Sequence, residues 1–113
     1  IDASPKGFGA WLRSRREERG GILRTVAAAA DMDPSHLGKA ERGERLPSWD
    51  KVEALAQALD LDLADVQSRY ATAKLWLECD GDPRLLAAAA TLAHEHAGTY
   101  LVNKPANKLR AKK

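Results

Sequence analysis

Apolar residues recur at helical spacing along most of the chain. Within residues 49–59, Val52, Leu55, Ala56 and Leu59 stand at i, i+3, i+4 and i+7. Residues 63–78 place Val66, Tyr70, Ala73 and Leu77 on one helical face, and residues 83–97 do the same with Leu85, Leu86, Ala89, Leu92 and Ala93. Near the start, Phe8 with Trp11 or Leu12 form the inward side of a first helix. Neither strict alternation nor an Asn-Gly hairpin signal interrupts the first hundred residues. The pattern predicts an all-α fold.

Punctuation sets the limits of each helix. Ser4-Pro5, Asp33-Pro34 and Asp82-Pro83 each put a side-chain oxygen at an N-cap and a proline at the first helical position, where a missing N–H costs nothing. The first helix is expected over Pro5–Arg19 and stops at Gly20-Gly21. A short second helix covers about Leu23–Ala30, and a third runs from Pro34 to about Arg42, ending at Gly43. Leu46-Pro47 forces an extended turn before Ser48 caps a fourth helix, about Trp49–Leu59. Asp62 caps a fifth, about Leu63–Glu78, with Asp65 in a capping-box-like place. After Asp80-Gly81 a sixth helix runs from Pro83 to about Ala97. Gly98 and Pro105 interrupt what remains, so residues 98–113 are expected to form a loose arm.

At 113 residues the chain has the length of one domain. Its net charge of +2 decides little, but the distribution is uneven. Residues 1–45 carry 9 basic and 7 acidic groups, residues 46–97 carry 4 and 9, and residues 98–113 carry 5 and none. Such a pattern allows a polyanion site toward an end and argues against a uniformly basic coat. A lone cysteine, Cys79, excludes an internal disulfide framework and fits a reducing cytoplasm. No apolar run approaches the roughly 18 residues of a membrane span, and no signal-peptide pattern is read. The chain begins with Ile1 rather than Met, which implies that its natural start lies upstream.

The second and third helices are short and are joined by Asp31-Met32-Asp33, which describes a helix-turn-helix. Ala27 supplies the small residue that two closely crossing helices need, while Leu37 and Ala40 pack back onto Val26 and Ala30. Leu23-Arg24-Thr25-Val26-Ala27, Pro34-Ser35-His36-Leu37 and the run Glu41-Arg42-Gly43-Glu44-Arg45-Leu46-Pro47-Ser48 resemble the lambda-repressor-like (Xre, Cro/cI-type) helix-turn-helix regulators. The resemblance spans about Phe8 to Val66, and the Glu-Arg-Gly-x-x-x-Pro-Ser run is its most specific part. Two departures stand out. Ile22 occupies the cap of the second helix, where the family has Ser or Thr, with Leu23 after it, and Asp31 holds a turn position often given to Gly.

The resemblance implies a sequence-specific double-stranded DNA-binding regulator, a repressor acting as a homodimer with its third helix in the major groove. Pro34, Ser35, His36 and Lys39 are then the base-facing positions. Lys39 can donate to guanine O6 or N7, Ser35 discriminates weakly, Pro34 offers only apolar contact, and His36 meets base or phosphate. Arg24, Arg42 and Arg45 suit phosphate clamping, which sets register rather than sequence. The family pattern also sets Arg16 opposite Glu41, an ion pair that would fix the third helix on the first. The alternative for Glu41 is a local pair with Arg45.

Other chemistry finds little support. His94 and His96 lie two apart on a helix and cannot share one ion, and Cys79 has no neighbour that would activate it. With no phosphate loop, nucleophile elbow or metal-ligand spacing, neither an enzyme nor a cofactor is expected. The predicted division is a DNA-binding domain over 5–66, dimerisation helices over 67–97 and a basic tail over 98–113. Val66, Tyr70, Ala73, Leu77, Leu85 and Leu92 are the expected dimer contacts. Lys104, Lys108, Arg110, Lys112 and Lys113 either follow the DNA backbone or form a solubilising end. A competing function is an antitoxin or similar module that binds DNA together with a toxin or other partner protein; no membrane partner is expected.

Overall fold

The computed structural model describes residues 2–103, with side chains through Glu95. Among these residues six helices follow one another and no strand occurs: α1 (Pro5–Glu18), α2 (Leu23–Ala29), α3 (Pro34–Glu41), α4 (Trp49–Ala58), α5 (Leu63–Glu78) and α6 (Pro83–Asn103).

Caps explain most of the starts. The Asp33 carboxylate accepts the Ser35 N–H at 2.8 Å to open α3, Ser48 accepts from Lys51 to open α4, and Asp62 accepts from Asp65 to open α5. Two expectations fail in detail. Ser4 stands at the N-cap of α1 but its side chain makes no cap bond; its hydroxyl and its N–H are both turned back to the Asp2 carboxylate. Asp65 does not complete a capping box; its carboxylate accepts Arg69 Nε one turn on, at 3.1 Å.

The helix ends share one device. A residue with positive φ follows the C-cap, and the next N–H returns to a carbonyl five residues back. Gly20 and Gly43 do this for α1 and α3 at φ 67° and 75°. Asp31, Asp60 and Asp80 do it for α2, α4 and α5 at φ 53–55°, with Met32 N–H on the Ala27 carbonyl at 2.8 Å as one instance. Aspartate is among the few residues that tolerate this conformation, so the glycine missing from the helix-turn-helix turn is replaced without loss of the turn.

One core joins the first five helices. Phe8 and Leu12 of α1, Val26, Ala27 and Ala30 at α2, Leu37 of α3, Val52, Leu55 and Ala56 of α4 with its C-cap Leu59, and Val66, Tyr70 and Ala73 of α5 are all buried together. Tyr70 meets Phe8 edge-on at 5.9 Å and Trp49 at 5.7 Å between ring centroids, and its hydroxyl donates to the Pro47 carbonyl at 2.8 Å. The compact unit therefore runs through Gly81, and the expected boundary at residue 66 falls inside α5. Helical periodicity shows that a face is buried; it does not say against what.

Helix α1 lies close on the end of α3. A Cβ built on Gly9 would stand 2.2 Å from the Ala40 carbonyl oxygen, and one on Gly43 would stand 2.4 Å from Lys6 Cα. Backbone thus meets backbone at both places. At the far end of α1, Arg19 donates to the Leu59 carbonyl and, at 2.9 Å, to that of Asp60, so its guanidinium caps the C-terminus of α4.

The second unit begins at Asp82, whose carboxylate accepts the Arg84 N–H at 2.9 Å and opens α6. This helix passes the expected stop at Ala97 and continues through Gly98 to Asn103. One glycine costs a helix interior only about 1 kcal/mol, and the alanine-rich run that precedes it favours the helix. The five cations from Lys104 to Lys113 lie outside the described residues.

Candidate nucleic-acid interface

Helix α3 has two sides with opposite tasks. Leu37 and Ala40 face the core, while Ser35, His36 and Lys39 are exposed and Pro34 is half-buried at its start. The inner side is further fixed by an ion pair. Arg16 Nε donates to Glu41 Oε2 at 2.7 Å, and Arg16 Nη2 donates to Oε1 at 2.9 Å. Its third nitrogen, Nη1, donates to the Gly21 carbonyl at 3.0 Å. The two side chains are only 13% and 6% exposed. The parallel bonds to Glu41 hold the Arg16 guanidinium pKa above its ordinary value, against the opposing effect of burial. A bidentate pair of this kind fixes angle as well as distance, so α3 is held on α1 at one orientation.

Two shallow grooves flank the start of α3. The first is lined by Ile22, Leu23, Arg24 and Thr25 of the α2 segment with Pro34. The second is lined by Met32, His36, Arg45, Pro47, Ser48 and Lys51. Arg24 therefore stands beside the first groove, and Arg45 beside the second together with His36. Among the described residues Arg24, Lys39 and Arg45 make no ion pair.

Arg42 is differently placed. Its Nε donates to Glu44 Oε2 at 2.6 Å, and both side chains are more than half exposed. The Arg42 hydrogen bond holds the Glu44 carboxyl below its usual range, and Arg42 is raised in turn. A pair this exposed is weak, so a phosphate oxygen can replace the carboxylate. Glu41, by contrast, has no part in a local pair with Arg45: its carboxylate is turned inward to Arg16.

Ser35 is also partly committed. Its hydroxyl donates to Asp33 Oδ1 at 2.7 Å, and this bond with the Ser35 N–H holds the Asp33 carboxyl below its usual range. While the bond is kept, Ser35 presents lone pairs outward and can accept from adenine N6 or cytosine N4 but not donate.

Lys51 belongs to this surface and was not singled out by the sequence. Its ammonium donates to the Asp31 carbonyl at 2.6 Å, tying the first turn of α4 to the turn of the helix-turn-helix, and it lines the groove of His36 and Arg45. No local spacing signals it, because its partner lies 20 positions earlier.

The expected dimer contacts divide. Val66, Tyr70 and Ala73 are 0%, 9% and 1% exposed within the chain's own core and have no surface to offer a second subunit. Leu77, Leu85 and Leu92 are each about half exposed, and Leu75 joins them. Among the described residues no cluster of three potential metal ligands forms, and no helix is long and apolar enough to cross a membrane.

A short pair of helices crossing over a shared core, with the outer side of the second one polar and cationic, defines a helix-turn-helix protein. The helix-turn-helix domain family matches residues 8–68, more than half of the chain, and the chain belongs to that family of DNA-binding transcriptional regulators. This agrees with the resemblance to the lambda-repressor-like regulators. Solved structures agree in fold. The clp gene regulator ClgR from C. glutamicum is 34% identical over 59% of this chain and 87% of its own, with a TM-score of 0.53. A second ClgR structure from Corynebacterium glutamicum is 30% identical over 85% of this chain and 93% of its own, with a TM-score of 0.54. The restriction-modification controller protein C.AhdI from Aeromonas hydrophila is 34% identical over 55% of this chain and 94% of its own, with a TM-score of 0.53. Among curated protein sequences none matches significantly.

Proposed function

We propose that this chain is a sequence-specific repressor that binds operator DNA as a homodimer, with α3 in the major groove. One observation carries the reading: Arg24, Lys39 and Arg45 stand without ion-pair partners, among the described residues, around the exposed side of a helix whose other side is locked to the core. Pro34, Ser35, His36 and Lys39 face the bases. Arg24, Arg45 and Lys51 hold phosphates on either flank, and Arg42 joins them by leaving Glu44. Repression follows if the operator overlaps a promoter.

Duplexes selected by the full chain from a randomised pool, at fixed salt, provide the test. Lys39→Ala is expected to cost about 1–3 kcal/mol on the selected duplex and less on random DNA, because a base contact carries sequence information. Arg45→Ala is expected to weaken both duplexes alike. Equal losses for Lys39→Ala on the two duplexes would move Lys39 to the backbone.

Symmetric half-sites need two recognition helices about 34 Å apart, hence two chains. The exposed leucines support association: Leu75 and Leu77 near the end of α5, and Leu85 and Leu92 two turns apart on α6. Sedimentation equilibrium at micromolar concentration is expected to give a dimer for the intact chain and a monomer for Leu85→Asp with Leu92→Asp. A monomeric intact chain would remove the homodimer from the proposal.

A further inference from the structure

Ile22 is poorly explained by stability. It stands at the N-cap of α2, where Ser, Thr, Asn and Asp are favoured by their side-chain oxygen and β-branched aliphatics are not. No side-chain cap bond forms there. Burial does not compensate, since the side chain is 68% exposed. The residue forgoes both a cap and a place in the core.

Its neighbours show what that exposure offers. Ile22 and Leu23 line the first groove with Pro34, the opening residue of α3. None of these three side chains carries a donor or acceptor, so their part of the groove offers apolar contact, while Arg24 and Thr25 supply its polar lining. The groove is continuous with the DNA-reading side of α3 through Pro34, which Ser35 and His36 follow. On the major-groove edge of the base pairs, the apolar feature is the C5-methyl of thymine. 5-Methylcytosine carries the same group at the same carbon.

We propose that Ile22, with Pro34, reads the C5-methyl group of a pyrimidine within each half-site. This rests on the reading of α3 as the DNA-recognition helix. The contact excludes water from one methyl group and adds specificity without a hydrogen bond. It would also give Ile22 a reason to stand where a serine or threonine would serve the helix better.

The experiment uses the intact chain and a duplex it selects from a randomised pool. Each thymine is replaced in turn by deoxyuridine, which removes the methyl alone, and affinity is measured at fixed salt. At one thymine per half-site the wild-type chain is expected to lose about fourfold, the worth of one buried methyl. Ile22→Ser, which restores a favoured cap and is checked for helicity, is expected to bind the thymine and uracil duplexes equally at that position. Ile22→Val keeps an apolar branched surface and is expected to retain discrimination. With cytosine placed there instead, a gain on 5-methylation identifies the methyl itself as what is read, and a response to thymine alone confines the ligand to thymine. Insensitivity to uracil at every position, or an unchanged loss in Ile22→Ser, overturns the inference while leaving DNA binding intact. Failure to select or bind any duplex overturns the DNA-binding reading and this inference with it.

Discussion

Replacing Arg16 with methionine is expected to lower the unfolding free energy by about 3–5 kcal/mol, the usual cost of leaving one member of a buried ion pair alone. Methionine keeps the apolar stem, so the loss reports the guanidinium. Three bonds disappear together, two to Glu41 and one to the Gly21 carbonyl, and a carboxylate only 6% exposed is left without its partner. Glu41→Gln is expected to cost less, because an amide still accepts one of the arginine bonds. Urea unfolding of both single variants and the double variant gives the coupling directly, and a term of at least about 1 kcal/mol is expected for residues in contact. Combining Arg16→Met with Glu41→Leu should recover much of the stability, since an apolar pair avoids the desolvation that the ions suffer. Losses below about half a kcal/mol for each single change, with no coupling in the cycle, would assign both side chains to solvent. The variant also bears on DNA: α3 would remain helical, yet its angle on α1 would no longer be fixed.

Affinity for the selected duplex is expected to fall steeply with salt. Arg24, Arg45 and Lys51, with Arg42 once it has left Glu44, give each chain four cations for phosphate at the proposed surface, and a dimer has twice that number. With about −0.9 in the logarithmic slope per phosphate neutralised, the slope approaches roughly −7 if all of them meet phosphate. Raising salt from about 50 to 200 mM should then weaken binding by about four orders of magnitude. Lys51→Ala should make the slope shallower by nearly two for the dimer. Glu44→Gln should have the opposite effect on affinity, tightening random and selected duplexes alike, because Arg42 then has no carboxylate to leave. A flat response to salt would show that these residues do not act as clamps.

Local chemistry made the helices legible. Proline at the first helical position, an oxygen before it, and Gly or Asp at the stop each act within a few residues, so the limits of α1 to α5 could be read to about one position. Gly98 misled because a glycine is also tolerated inside a helix. Relations between distant segments were harder to read. Val66, Tyr70 and Ala73 repeat at helical spacing whether they meet Phe8 and Trp49 or a second subunit, and only the fold decides. Lys51 and Asp31 become neighbours only after α4 folds back on the helix-turn-helix. The 25 positions between Arg16 and Glu41 carry no local signal either, and a family pattern was needed to bring them opposite each other. At the start of α3, side-chain types set the candidate list, but the commitments of Ser35 to Asp33 and of Arg42 to Glu44 depend on rotamers.

The burial of Phe8 against Tyr70 has a consequence for how the chain comes into being. During synthesis α1 emerges before the helices it packs against, and its core face is fully covered only when α5 has followed. Until then Phe8 and Trp11 are open to water, Pro47 lacks its hydroxyl donor, and the loop bearing Arg45 is not tied down. A nascent chain halted after α4 holds every residue proposed to touch DNA, and the Arg16–Glu41 pair with them, but lacks the α5 side of the core on which Phe8 and Trp49 pack. The proposed surface thus rests on Tyr70, a residue of the core, and the loop bearing Arg45 is tied down only once α5 has folded against it.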